Sequence, residues 1–172
     1  MARKNFDPDE IWSKAVEKIV QFIQNGESVV LLCLGDTSIF ASSSNILRII
    51  KNNYPEIITN TIPGISSLSA AAALNDFDLV KKGETLIIKE CPSSNAELTS
   101  LISQIRGKKA VLVVMKVGKR WTLVRETLNK EDIINKSLIA LNIGRPDQII
   151  QNASKYNKDV MPYFSLILIR FN

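Results

Sequence analysis

Three features of the 172-residue sequence predict an α/β fold. Short apolar runs alternate with segments of helical periodicity, Gly, Pro and Asn mark the changes between them, and apolar residues make up 45% against 23% charged, the balance of a chain that buries a core. The length suffices for one substantial core or two small lobes.

Asp7-Pro8-Asp9-Glu10 reads as a helix start, with Asp7 as N-cap, Pro at the first helical position and Glu three residues after the cap. Ile11, Ala15, Ile19, Phe22 and Ile23 then recur at helical spacing as far as Asn25-Gly26. The unbroken apolar run 29–34 ends at Gly35 and predicts a strand buried on both faces of a parallel sheet. A helix over 42–52, a strand over 57–62 and a short helix over 66–74 follow. Next come a strand over 85–89, a helix over 94–106 opened by a Ser94 to Glu97 capping box, and a strand over 110–115. A helix near 122–128, a strand over 138–142 and a closing strand over 164–170 complete the alternation. The polar interruption 75–83 marks a lobe boundary, dividing the chain into 1–78 and 79–172, and a cleft between two such lobes is a preferred ligand site.

Composition removes several chemistries. The chain has no histidine, and with it go the commonest general base, the commonest metal ligand and every Ser-His or Cys-His nucleophile. Cys33 and Cys91 stand far apart without metal-ligand spacing and read as small buried hydrophobes, so no metal is expected. No apolar run reaches the ~18 residues that span a bilayer, and the start of the chain is not a signal peptide, which points to the cytoplasm. Lys and Arg number 22 against 17 Asp and Glu. This excess favours an anionic partner, but the basic residues are scattered and not interleaved with aromatics, so nucleic acid is not expected.

Four turns fall at the carboxyl ends of expected strands, where open α/β sheets bind ligands. In 34–40, Gly35 lets a ligand approach the backbone, Asp36 offers a carboxylate and Ile39 an apolar wall; an N-cap turn alone would look the same. In 61–67, a Pro63-Gly64 turn precedes Ser66 and Ser67 at a helix start, and Ala70 to Ala73 give that helix little bulk for close packing. Met115-Lys116 ends a third strand, with Lys119, Arg120 and Arg125 nearby, and Asn142-Ile143-Gly144-Arg145 ends a fourth.

Taken in order, Leu34-Gly35-Asp36-Thr37-Ser38-Ile39-Phe40, the Pro63-Gly64-Ile65-Ser66-Ser67 helix start with its alanine run, Met115-Lys116 and Asn142-Ile143-Gly144-Arg145 resemble the tetrapyrrole methylase family. Within it the pattern is most similar to the precorrin-2 C(20)-methyltransferases. The resemblance implies a two-lobed fold with S-adenosylmethionine between the lobes, and methylation of precorrin-2 or its cobalt form in cobalamin biosynthesis, a branch of porphyrin metabolism. It further implies that Leu34, Gly35, Asp36, Ile39, Ser66, Ser67, Met115 and Gly144 line the cofactor site, and that the chain is a homodimer. It assigns no catalytic or substrate-binding residue. An anionic tetrapyrrole would give Lys116, Lys119, Arg120, Arg125 or Arg145 a partner.

Two departures from the family pattern stand out. Thr37 replaces a common Pro in the first motif, and Met1 to Glu10 holds nothing like the family's opening strand and Gly-Pro-Gly-Asp-Pro loop, so the fold is expected to be truncated at its N-terminus. A sheet without its first strands would expose apolar surface. Two alternatives are a methylase fragment that is inactive or depends on a partner, and a generic nucleotide- or protein-binding α/β module; the latter is disfavoured because no Gly-rich phosphate-binding motif occurs.

Overall fold

The computed structural model describes residues 8–171, and the expected Asp7 cap lies outside them. The chain divides into two compact units, one ending at Ser66 and the other beginning at Ser67.

The first unit is built on two helices, α1 (Pro8–Gln24) and α2 (Ser43–Asn53). Their apolar stripes meet: Val16 and Val20 of α1 pack with Ile46, Ile49 and Ile50 of α2, and Trp12, Ala15, Ile19, Tyr54 and Ile57 close around them. The expected strands at 29–34 and 57–62 do not form. A strand exists only through a ladder to a neighbour, and among the described residues neither run has one. The apolar side chains that predicted burial therefore face outward, Val30 80%, Leu32 90%, Leu34 72%, Ile58 90% and Ile62 86% exposed.

The second unit carries the sheet. It opens with α3 (Ser67–Ala73), followed by β1 (Thr85–Glu90), α4 (Asn95–Ile105), β2 (Ala110–Met115), α5 (Trp121–Lys130), β3 (Ser137–Leu141), β4 (Ile149–Asn152) and β5 (Ser165–Phe171). Strand order is β1-β2-β5-β3-β4, with β1 parallel to β2 and every other pair antiparallel. The last strand thus occupies the middle of the sheet, and it is buried from Ser165 to Ile169. On one face Leu112, Val114, Ile139, Leu141, Ile167 and Ile169 pack with Leu98 and Ile102 of α4 and Trp121, Val124 and Leu128 of α5. The α4 cap forms as expected: the Ser94 hydroxyl accepts from the Glu97 amide at 3.2 Å, while the Glu97 carboxylate accepts from the Ser93 amide at 2.9 Å.

Arg170 on β5 holds the polar 75–83 segment within the second unit. Its guanidinium sits 5.0 Å from the Phe77 ring, donates through Nη2 to the Asp78 carbonyl, and donates through Nη1 to both Glu84 carboxylate oxygens at 2.6 and 2.5 Å. The hydrogen bond from Arg170 and that from the Lys81 amide hold the Glu84 carboxyl below its ordinary value near 4.5. Cys91 is buried, and burial pushes its thiol up; Cys33 is only half-buried, contrary to expectation. Among the described residues no helix is long and apolar enough to cross a membrane.

Two outcomes are expected from unfolding experiments. Leu112→Ala empties fully buried volume and should cost about 2–5 kcal/mol, whereas Leu32→Ser should change stability by about 0.5 kcal/mol or less, as urea titration would show. Because the folded state depresses the Glu84 pKa, the stability from its pairing is complete above the ordinary value and is lost as pH falls through the depressed one. Glu84→Gln should therefore flatten the acid side of the stability profile and leave its shape above pH ~6 unchanged.

Candidate functional site

In the first unit the two motif turns touch. Gly35 takes a left-handed φ of +78°, which turns the chain where the 29–34 run ends. The Pro63-Gly64 turn lies against it so closely that a Cβ on Gly64 would stand 2.2 Å from the Gly35 carbonyl oxygen, and one on Gly35 would stand 3.1 Å from the Ile65 carbonyl oxygen. Both positions need glycine, Gly64 for backbone approach and Gly35 for conformation as well.

Asp36 closes its own turn. Its Oδ1 accepts from the Ser38 amide at 2.7 Å and from the Ser38 hydroxyl at 2.6 Å. These bonds, the hydroxyl's foremost, lower its pKa, so the group is an anion at neutral pH. Leu34 and Ile65 stand 72% and 74% exposed beside this junction, while Ile39 is half-buried. Behind it the Ser43 hydroxyl donates to the Cys33 sulfur at 3.5 Å. Ser66 is buried, 7% exposed.

In the second unit Ser67 begins α3 and is half-buried. Met115 and the 142–144 turn come to one edge of the sheet because β5 starts between them: Met115 pairs with Leu166 on one side, and Leu141 pairs with Ser165 on the other. The residue after each strand is left-handed without being glycine, Lys116 at φ 57° and Asn142 at φ 50°. Such backbone costs of order 1–3 kcal/mol per residue and gathers at functional sites. The Asn142 amide donates to the Phe164 carbonyl at 2.8 Å, and its side chain donates to Asp147 at 2.7 Å. The Gly144 amide donates to the Gln148 side chain at 3.1 Å.

Of the five cations that the sequence offers an anionic ligand, four meet protein groups. Lys116 stands 3.8 Å from Glu90, Arg125 3.2 Å from Asp159 and Arg145 3.5 Å from Asp147, while Arg120 donates to the Cys91 carbonyl at 2.7 Å. Lys119 is exposed. The sequence reading passed over Tyr163 and Phe164, which meet edge to face at 5.1 Å with Tyr163 74% exposed and the Arg145 guanidinium 6.0 Å from the Phe164 ring. The signal was an aromatic pair directly ahead of an apolar strand. Among the described residues no group of three or more His, Cys, Asp or Glu side chains stands close enough to hold a metal ion.

Gly64→Ala should cost about 1–3 kcal/mol, because the added methyl meets backbone that cannot swing aside. Gly144→Ala, with open space around it and only its φ of +82° against it, should cost about 1 kcal/mol. Equal small losses in urea titrations of the two variants would show that the Gly35–Gly64 approach is not tight.

A cobalt-precorrin-2 C(20)-methyltransferase of Salmonella typhimurium is 25% identical over 171 residues, 98% of this chain and 69% of its own length. The structure of the cobalamin biosynthetic enzyme cobalt precorrin-4 methyltransferase, CbiF, superposes with a TM-score of 0.72 at 16% identity, covering 92% of this chain and 70% of that one. A uroporphyrin-III C-methyltransferase from Thermus thermophilus, solved with S-adenosylhomocysteine, superposes with a TM-score of 0.58 at 15% identity, covering 91% and 72%. Residues 1–155 match the family model of the tetrapyrrole (corrin/porphyrin) methylases, and the chain belongs to that family.

Proposed function

We propose that the chain transfers a methyl group from S-adenosylmethionine to a cobalamin-pathway tetrapyrrole, with C(20) of precorrin-2 or its cobalt form as the acceptor. The close approach of Gly35 and Gly64 carries this reading: two motif turns, far apart in sequence, meet to form a stretch of backbone bare of side chains beside exposed Leu34 and Ile65. That surface suits a ligand with an apolar body and hydrogen-bonding edges. The likeness to a cobalt-precorrin-2 C(20)-methyltransferase, aligned over 98% of this chain, supports the choice of acceptor.

When bound, S-adenosylmethionine supplies a methyl group already activated on a sulfonium sulfur, so no protein nucleophile and no histidine are needed. The chain's part is to bind, orient and exclude water. Leu34 and Ile39 would cover apolar surface of the cofactor, and the backbone at Gly35 would accept close contact. The Asp36 carboxylate, kept ionised by Ser38, would meet a hydroxyl or a cationic group. Met115, Gly144 and Ser67 would contribute from the second unit, with Ser66 supporting the turn from within. A homodimer in the cytoplasm fits the family.

The exposed runs at 29–34 and 57–62 favour one further possibility: the chain binds cofactor and turns over only when another polypeptide segment covers them. Calorimetry and a transfer assay separate the two. S-adenosylhomocysteine should bind at least about tenfold more tightly than NAD or ATP, a difference of ~1.4 kcal/mol, and methyl transfer to precorrin-2 should follow. Binding without transfer supports the dependent fragment, and equal affinity for all three nucleotides removes the methylase assignment.

A further inference from the structure

We propose that Tyr163, braced by Phe164, is a platform on which the face of the tetrapyrrole macrocycle lies; this rests on the tetrapyrrole methylase reading above and deepens it. The two residues lead into β5, between the ends of β2 and β3, and their segment is pinned on both sides. Toward β2 the Met161 amide donates to the Gly118 carbonyl at 3.1 Å, and the Ser165 hydroxyl accepts from the Gly118 amide at 2.8 Å. Toward β3 the Phe164 carbonyl accepts from the Asn142 amide at 2.8 Å. A segment fixed in this way still leaves Tyr163 74% exposed, its ring edge to face with Phe164 at 5.1 Å and 82°. The Arg145 guanidinium stands 6.0 Å from the Phe164 ring. A tyrosine ring braced by such neighbours loses little conformational freedom when a ligand stacks on it.

The groups around the platform select among flat ligands. The Tyr163, Phe164 and Ser165 carbonyls each already accept a backbone hydrogen bond, from the Ser165, Asn142 and Val117 amides. A purine is oriented by hydrogen bonds along its edge, whereas this segment offers a ring face, which suits a ligand with a broad flat π surface. The charges favour one that also carries carboxylates. Glu90, Asp147 and Asp159 each face a cation, Lys116, Arg145 and Arg125 in turn. Lys119, which follows the Gly118 that pins the segment, is exposed with no carboxylate against it among the described residues. The acidic side chains of a macrocycle on Tyr163 thus meet paired acids and an open cation. Met115 and the 142–144 turn come to the same edge, so such a macrocycle shares that edge with residues proposed above to hold the methyl donor.

Fluorescence titration with uroporphyrin III, a flat tetrapyrrole bearing carboxylates, tests the assignment alongside calorimetry with S-adenosylhomocysteine. Tyr163 is exposed, so Tyr163→Ala should keep its fold, as a thermal melt would verify. The variant should bind uroporphyrin III about fivefold or more weakly, the loss of one stacking contact, with S-adenosylhomocysteine affinity unchanged. Tyr163→Phe keeps the ring and should retain the binding. Phe22→Ala, which removes an exposed aromatic of the first unit, should leave it unchanged and so controls for porphyrin adhering to any exposed ring. The platform is overturned by an unchanged uroporphyrin III affinity in Tyr163→Ala, by an equal loss in Tyr163→Phe or Phe22→Ala, or by a wild type that does not take uroporphyrin III. A parallel loss of S-adenosylhomocysteine binding in Tyr163→Ala also overturns it, because the ring would then serve the cofactor. A wild type that takes uroporphyrin III through Tyr163 but does not bind S-adenosylhomocysteine sinks the methylase reading and leaves the platform standing.

Discussion

The second unit depends on β5 lying between β2 and β3. The strand that closes the chain pairs antiparallel with both, over 166–171 with β2 and over 165–169 with β3. Until it is in place β2 lacks a partner on one side and β3 is joined only to the edge strand β4, so the buried hydrogen-bonding groups of Leu112 and Ile139 have nowhere to go. The same insertion brings two of the motif turns together. Because β5 begins between the ends of β2 and β3, Met115 and the 142–144 turn come to the same edge of the sheet, and the Ser165 hydroxyl pins the Gly118 amide at 2.8 Å.

The first unit rests on a different constraint. Its helices satisfy one another, but its two apolar runs have no ladder among the described residues, and Val30, Leu32 and Ile58 meet solvent. What gives this unit local definition near the motifs is the backbone contact of Gly35 with Gly64, reinforced by the Asp36 to Ser38 turn. The physical cost is plain: apolar surface that folding would normally bury is left in water at roughly 25 cal/mol per Å². The unit's motif turns are therefore held by local geometry and not by a sheet beneath them.

Most of the second unit was legible in the sequence because its signals are local. The Ser94 to Glu97 capping pattern, the unbroken 110–114 run and the helical spacing of Trp121, Val124 and Leu128 each predict an element that forms. Strand β4 was not legible: Ile149-Ile150-Gln151-Asn152 is short, half polar and sits at the sheet edge, where pairing with β3 decides the conformation. The 29–34 run misled for the opposite reason. Its side chains state a preference for a buried strand, but pairing is a property of neighbours, and no sequence pattern in the run supplies them. In the candidate site the turns were legible as motifs, while the contact of Gly64 with Gly35 and the engagement of Arg120, Arg125 and Arg145 by other protein groups arise only on folding.

The central claim is the proposal that the Gly35–Gly64 junction receives S-adenosylmethionine. Amide chemical-shift mapping on addition of S-adenosylhomocysteine tests it directly. Saturable shifts at Gly35, Asp36 and Ile39 are the predicted result. Shifts spread without preference for this junction, or none at all, would contradict it.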